Sequence, residues 1–183
     1  MSDSEIYIER PIARRAAWVA QPRLETAEDL PDGWRAEAAL GVKAQLLRRR
    51  DSVMAAQAAA LWRSEADPGC GSGGAEGRLL AGRSAQDGAR FVNIEAAYQL
   101  YEGGCGRRRL DLTAGARRGE RWMGLAQTFV DEAEGDGAVR AQLSVVRFRG
   151  EGRGVQVGVR MRVDGAAREP MLVVALWSPA ERS

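Results

Sequence analysis

The chain contains no histidine and a single lysine, Lys43, among its 183 residues. Without imidazole there is no Ser-His-Asp or Cys-His nucleophile pair, no customary general base near neutral pH, and almost no route to a catalytic zinc site. A Schiff-base or P-loop lysine would have to be Lys43, which lies in Gly41-Val-Lys-Ala-Gln45 with no phosphate loop before it. Two cysteines, Cys70 and Cys105, are too few for a disulfide scaffold or a metal cage. Both sit among glycines, and the sequence favours unpaired thiols in loops of a reducing compartment. The longest apolar run, Met171 to Trp177, is far short of the roughly 20 residues of a spanning helix. The opening Met1-Ser-Asp-Ser-Glu-Ile lacks the basic and apolar regions of a secretory signal. The expected compartment is the cytoplasm.

What is present is ordinary in bulk. The apolar fraction is 45% and the charged fraction 28%, and a chain of this length can bury about 70% of its unfolded surface in one core. Arginine supplies 26 of the 27 basic side chains, which invites a phosphate or nucleic-acid reading. The 25 acidic residues interspersed with them leave a net charge of only +2, and the compositional bias of a GC-rich coding sequence explains the arginines more simply.

Periodicity suggests an α+β fold: one long amphipathic N-terminal helix packed on a predominantly antiparallel, Gly-turn-rich β-sheet or curled sandwich. Residues 1–31 read as an N-terminal arm, with a short edge strand at Glu5–Glu9 and a brief helix over Ile12–Ala20 ended by Pro22. Residues 32–183 read as a single domain. Asp32 caps a helix predicted over Gly33 to about Glu65, where Leu40, Leu47, Met54 and Leu61 recur every seven residues. Residues 66–77 form a Gly-rich loop; Gly69, Gly71 and Gly74 match G-x-G-x-x-G, but the motif needs a strand before it and a helix after it. Val92, Ile94, Ala96, Tyr98 and Leu100 alternate as a half-buried strand, although Phe91, Ile94, Tyr98 and Tyr101 also share a helical face. Further strands are expected over 107–113 and 121–130. A hairpin joins 138–149 to 155–163, with a β-bulge predicted at Val145-Val146 where the apolar phase slips by one. Met171–Trp177 is apolar on both faces and so reads as a central or covered strand.

No motif names an activity. The candidate pocket residues are Glu95, Tyr98 and Asp111, on strands expected to be neighbours; the simpler account pairs Glu95 and Asp111 with Arg107–Arg109. Arg147, Arg149, Arg160 and Arg162, with Arg153, are the candidate anion-binding residues, as a basic outer face of one hairpin. Asp131-Glu-Ala-Glu-Gly-Asp-Gly137 resembles a calcium loop only loosely and reads as a solvated turn. The five tryptophans are explained by core or interface packing. No metal or cofactor is expected. The functional expectation is a non-catalytic interaction or assembly protein, an adaptor or oligomer subunit docking through its arm and long helix onto a partner or a second copy, with no membrane contact. One alternative is a small-ligand pocket protein or carboxylate-based enzyme on a curled sheet. Another is an arginine-ribbon binder of nucleic acid or an acidic partner.

Overall fold

The structure is a computed structural model that describes residues 2–26, 32–66, 69–85, 88–133, 136–149, 153–165 and 170–177. The regular elements are β1 (Ser2–Glu5), β2 (Ile8–Ala13), β3 (Ala16–Thr26), β4 (Trp34–Arg48), β5 (Ser52–Arg63), β6 (Gly73–Ser84), β7 (Arg90–Tyr101), β8 (Gly106–Arg118), β9 (Trp122–Ala133), β10 (Asp136–Phe148), β11 (Gly154–Arg162) and β12 (Pro170–Trp177). They form one antiparallel meander in which each strand from β3 to β12 pairs with its sequence neighbours, while β1 and β2 lie end to end along the free edge of β3.

The α+β expectation is overturned. No helix occurs among the described residues; the segment expected as a long helix is the hairpin β4–β5, and that expected as a short one runs through β2 and β3. Trp34 to Gln45 holds a period of two, with Trp34, Ala36, Ala38, Leu40, Val42 and Ala44 on one face and Arg35, Glu37, Ala39, Gly41, Lys43 and Gln45 on the other. Alanine on both faces of β4 and β5 hides that alternation and raises helix propensity. The preference is only a few tenths of a kcal/mol per residue, roughly, and pairing on both sides overrides it. The seven-residue repeat is a coincidence of the hairpin: Leu40 and Met54 face outward, whereas Leu61 faces inward. Register shifts occur in β4, between Gln45 and Leu47, and in β2, between Pro11 and Ala13.

Three further expectations change. Residues 73–77 of the Gly-rich segment are already strand β6. No bulge occurs at Val145-Val146, since pairing runs unbroken from Arg140↔Arg162 to Phe148↔Gly154. The apolar phase slips there because Val146 and Phe148 turn inward onto Met123 and Leu125, while Leu143 and Val145 face out. And β12 is an edge strand, not a central one. It is apolar on both faces because Trp177 packs edge-on against Phe148, with ring centroids 6.1 Å apart, while Leu172, Val174 and Leu176 stand exposed outside.

The sheet is staggered and curled. Following paired residues from Ala16, the first residue of β3, leads through Ala44, Ala56, Ala96 and Leu110 to Val139, near the opposite end of β10. Such drift is the shear that rolls a sheet toward a barrel. Glycines mark the concave side. A Cβ on inward Gly158 would lie 2.3 Å from Ser144 Cβ, and one on Gly41 2.2 Å from the Ala58 carbonyl oxygen; outward Gly77 and Gly124 have open space. Among the described residues no pairing joins β12 to β1 or β2.

Polarity across this sheet is the reverse of a water-soluble one. The buried side chains include Glu25, Gln57, Arg63, Glu76, Gln142 and Gln156, and the apolar cluster is small: Met123, Leu125, Val146 and Phe148, with Phe91 against it. The exposed face carries the large apolar side chains, with Leu143 and Leu172 each 70% exposed. The accessible surface is 12596 Å², whereas a water-soluble chain of this mass folds to about 8600 Å². No helix among the described residues is long and apolar enough to cross a membrane.

Candidate functional site: a polar interior inside an apolar exterior

Each strand points alternate side chains to opposite faces, so the register sorts every residue as inward or outward. On the outward face of β3–β12, charged side chains occur only within three residues of a strand end: Arg83, Arg90, Arg108, Arg118, Glu132 and Arg147. Between them runs an uncharged band of Ala, Leu, Val and Ile. Aromatics sit at its two margins. Trp34 and Trp62 lie toward the end where the β5–β6 and β7–β8 loops meet, and Trp18 and Trp122 toward the other, all four about half exposed. None of the five tryptophans is buried in a core; Trp177, 38% exposed, packs edge-on against Phe148.

Cys70 and Cys105 join those two loops in a disulfide with Cα atoms 5.8 Å apart, so the expected free thiols are paired. Backbone bonds from Gly71 N to Glu102 O and from Glu102 N to Gly73 O align the loops beside the bridge. This rim is the disulfide end of the sheet.

The inward face carries several polar clusters between its buried apolar side chains. At mid-height Arg78 donates to Glu76 at 2.9 and 3.0 Å and to Glu95 at 2.6 Å, and Gln99 donates to Glu76 at 2.7 Å. One row of paired positions, Thr113, Gln127, Gln142 and Arg160, is linked across four consecutive strands by hydrogen bonds of 3.2, 2.8 and 2.8 Å. Near the free edge Lys43 bonds Glu9 at 2.7 Å, which holds the Glu9 carboxyl below its ordinary range against the opposing effect of burial. Toward the disulfide end Arg107 forms a two-pronged pair with Asp131, one bond of 2.8 Å and a shorter one. Burial opposes ionisation of Asp131, but the Arg107 bonds outweigh it and its carboxyl titrates low. The other end of the interior is apolar and capped by Arg117, whose guanidinium lies 4.8 Å from the Phe148 ring centre.

A cavity of about 420 Å³ opens at the disulfide end, lined by residues of β4, β5 and β7–β11, so strands far apart in the meander face the same space. Among the described residues five guanidinium groups line it, from Arg35, Arg63, Arg107, Arg140 and Arg162, against the carboxylates of Glu37, Asp131 and Asp136. Arg63 lies over the Tyr101 ring at 4.1 Å and donates to Gly71 O at 3.1 Å.

The residues singled out from sequence divide between the faces. Glu95 and Asp111 are directly opposite one another on β7 and β8 and face inward, while Tyr98 faces out, half exposed, so the three do not form one pocket. Burial raises the Glu95 carboxyl above its ordinary range, with Arg78 opposing and Asp111 adding to the rise. Asp111 is held by Arg109 at 3.0 Å. The arginine hairpin is likewise split. Arg160 and Arg162 lie inward toward the disulfide end, Arg160 4.3 Å from the Phe129 ring centre, whereas Arg147 is outward at the other end, 5.5 Å from Trp122. Arg149 is exposed beyond β10. Of the calcium-like segment, Asp131 is committed to Arg107, and no group of metal ligands occurs among the described residues. Sequence reasoning missed Arg35, Arg63 and Arg140. Period-two spacing marks Arg35 with Glu37, and Arg107 with Arg109 and Asp111, as inward sets.

Comparison with protein families, characterised proteins and solved structures finds no match to this chain.

Proposed function

We propose that this chain is an integral membrane protein of the β type, crossing the bilayer as a curled, barrel-like sheet with a polar interior. The observation that carries the reading is the uncharged apolar band on the outward face, bounded by tryptophans at both margins, around an interior of ion pairs and amide ladders. Lipid reverses the usual arrangement: apolar side chains gain from facing outward, and polar ones are satisfied within. Strands β4–β10 are 12 to 15 residues long, and a tilted spanning strand needs about 9–11. Tryptophan at the two margins matches the amphipathic preference of indole for the headgroup layer.

The Cys70–Cys105 bridge supports exposure of that rim to an oxidising compartment, in place of the expected cytoplasmic location. A docking role through a long helix lacks its helix. Its remaining form, assembly through the exposed apolar face, predicts protein, not lipid, against the band.

The test is folding of the full chain with and without phospholipid vesicles. The expected result is native β circular dichroism only with lipid or detergent, with Trp18, Trp34, Trp62 and Trp122 fluorescence quenched most strongly by lipids brominated near the headgroups. A folded monomer in detergent-free buffer would refute the reading. A discrete soluble oligomer with native β structure would replace it with the assembly reading.

A further inference from the structure

We infer that the cavity at the disulfide end is a binding site for a compact, multiply charged oxyanion, a phosphate or a polycarboxylate. The first observation is the imbalance of its lining, five guanidinium groups against three carboxylates among the described residues. Several of the five are already engaged: Arg107 by Asp131, Arg35 by Glu25 at 3.0 Å, and Arg63 by Gly71 and Tyr101.

The second observation is a like-charge pair. Arg140 and Arg162 are direct cross-strand partners on β10 and β11, and both line the cavity. Like charges directly opposite destabilise a sheet unless something lies between them. Arg162 is partly satisfied by Asp164 at 3.0 Å and Gly137 O at 2.9 Å. The Arg140 side chain has no hydrogen bond or ion pair among the described residues; Asp131, which feels its field, spends both carboxylate oxygens on Arg107. An oxyanion between the two forks removes the repulsion and accepts from both. Planar guanidinium donors match the oxygen pairs of phosphate and carboxylate.

The hairpin was expected to bind anions on its outer face, through Arg147 and Arg149 together with Arg160 and Arg162. The structure moves the site to the interior, keeps Arg162, adds Arg140 and leaves Arg147 outside. The inference holds whatever covers the exterior, so its failure and that of the membrane reading are separable. If the chain binds oxyanions but stays out of lipid, only the membrane reading falls; if it inserts but binds none, only the site falls.

The experiment is titration calorimetry on the full chain in non-ionic micelles, with inorganic phosphate in one arm and citrate in the other. Native β circular dichroism is checked for each variant first. The expected result is saturable binding of at least one probe, and the tighter one assigns the ligand as phosphate or carboxylate. Arg140→Gln should weaken it by about tenfold or more, the worth of one lost charge-assisted hydrogen bond. Arg147→Gln, outside and at the far end, should leave it unchanged. In the absence of anion, Arg140→Gln should also raise the melting temperature, because the like-charge pair is gone. No saturable binding of either probe up to millimolar concentrations, or equal weakening by Arg147→Gln, overturns the inference.

Discussion

Arg78 holds two carboxylates at once, Glu76 and Glu95, and Glu95 also faces Asp111, so a crowd of charge is packed where a soluble sheet would place leucine. Titration should expose the cost. A carboxyl whose folded pKa is raised contributes stability fully below its unfolded value of 4.5, and loses that contribution as pH rises through the folded value. Glu95→Gln should therefore flatten the fall in stability just above pH 4.5, read by denaturant unfolding across pH. Asp131 behaves oppositely. Its folded pKa is depressed, so its contribution is present above the unfolded value of 3.8 and lost as pH falls through the folded one. Asp131→Asn should cost about 1.5–3 kcal/mol at neutral pH, the worth of hydrogen bonds to a charged group, and much less in strong acid. Close approach gives a second residue-scale test. Gly158→Val must displace Ser144 or the backbone at Leu143 and should cost about 1–3 kcal/mol by overpacking. Gly124→Ala, with open space outside, should be silent in the same melts.

At the scale of elements, the two edges matter most. The β1–β2 edge and β12 each present a row of unpaired backbone groups, since neither is joined to a further strand among the described residues. Water satisfies such groups and hydrocarbon does not, so a sheet edge within lipid must find a partner. Hydrogen exchange in vesicles should accordingly show the outer amides of β12 as slowly exchanging as those of β8. Fast exchange there would mean that the edge stays wet, and β12 would lie outside the bilayer. The hairpin connections are short and several turn on glycines with positive φ, such as Gly119 and Gly103, which is why eleven strand positions fit in so few residues.

For the whole molecule, the outward band is the feature most open to attack by mutation. Leu79 is 60% exposed in the middle of β6; Leu79→Arg should lower folding stability in vesicles by about 2–4 kcal/mol, the cost of a guanidinium near the bilayer midplane. Arg83→Leu, at the margin, should not. In a water-soluble fold the order would reverse, because an added surface arginine is harmless there. Reduction of the Cys70–Cys105 bridge should destabilise the fold by roughly 3–4 kcal/mol on chain entropy alone, since it closes a 35-residue loop.

Much was legible in the sequence at short range. The strands over 92–100 and 155–162 follow from period-two alternation of apolar and polar residues, that over 171–177 from a short run apolar on both faces, and the glycine-rich turns between strands follow from the same chain. The hairpin β4–β5 was illegible because alanine serves either period, and only pairing with β3 and β6 chooses between them. Alternation also does not state which face is inside. Val92, Ile94 and Leu100 share a face in any sheet; that this face is the outer one was decided by the curl, which closes Glu76, Arg78, Glu95 and Gln99 around one another. The sequence by itself determined two faces of opposite polarity, because side chains alternate along any strand. The tertiary structure decided which face is enclosed, because shear and the inward glycines set the direction of curvature, and that direction has no signature at the range over which a sequence pattern can be read.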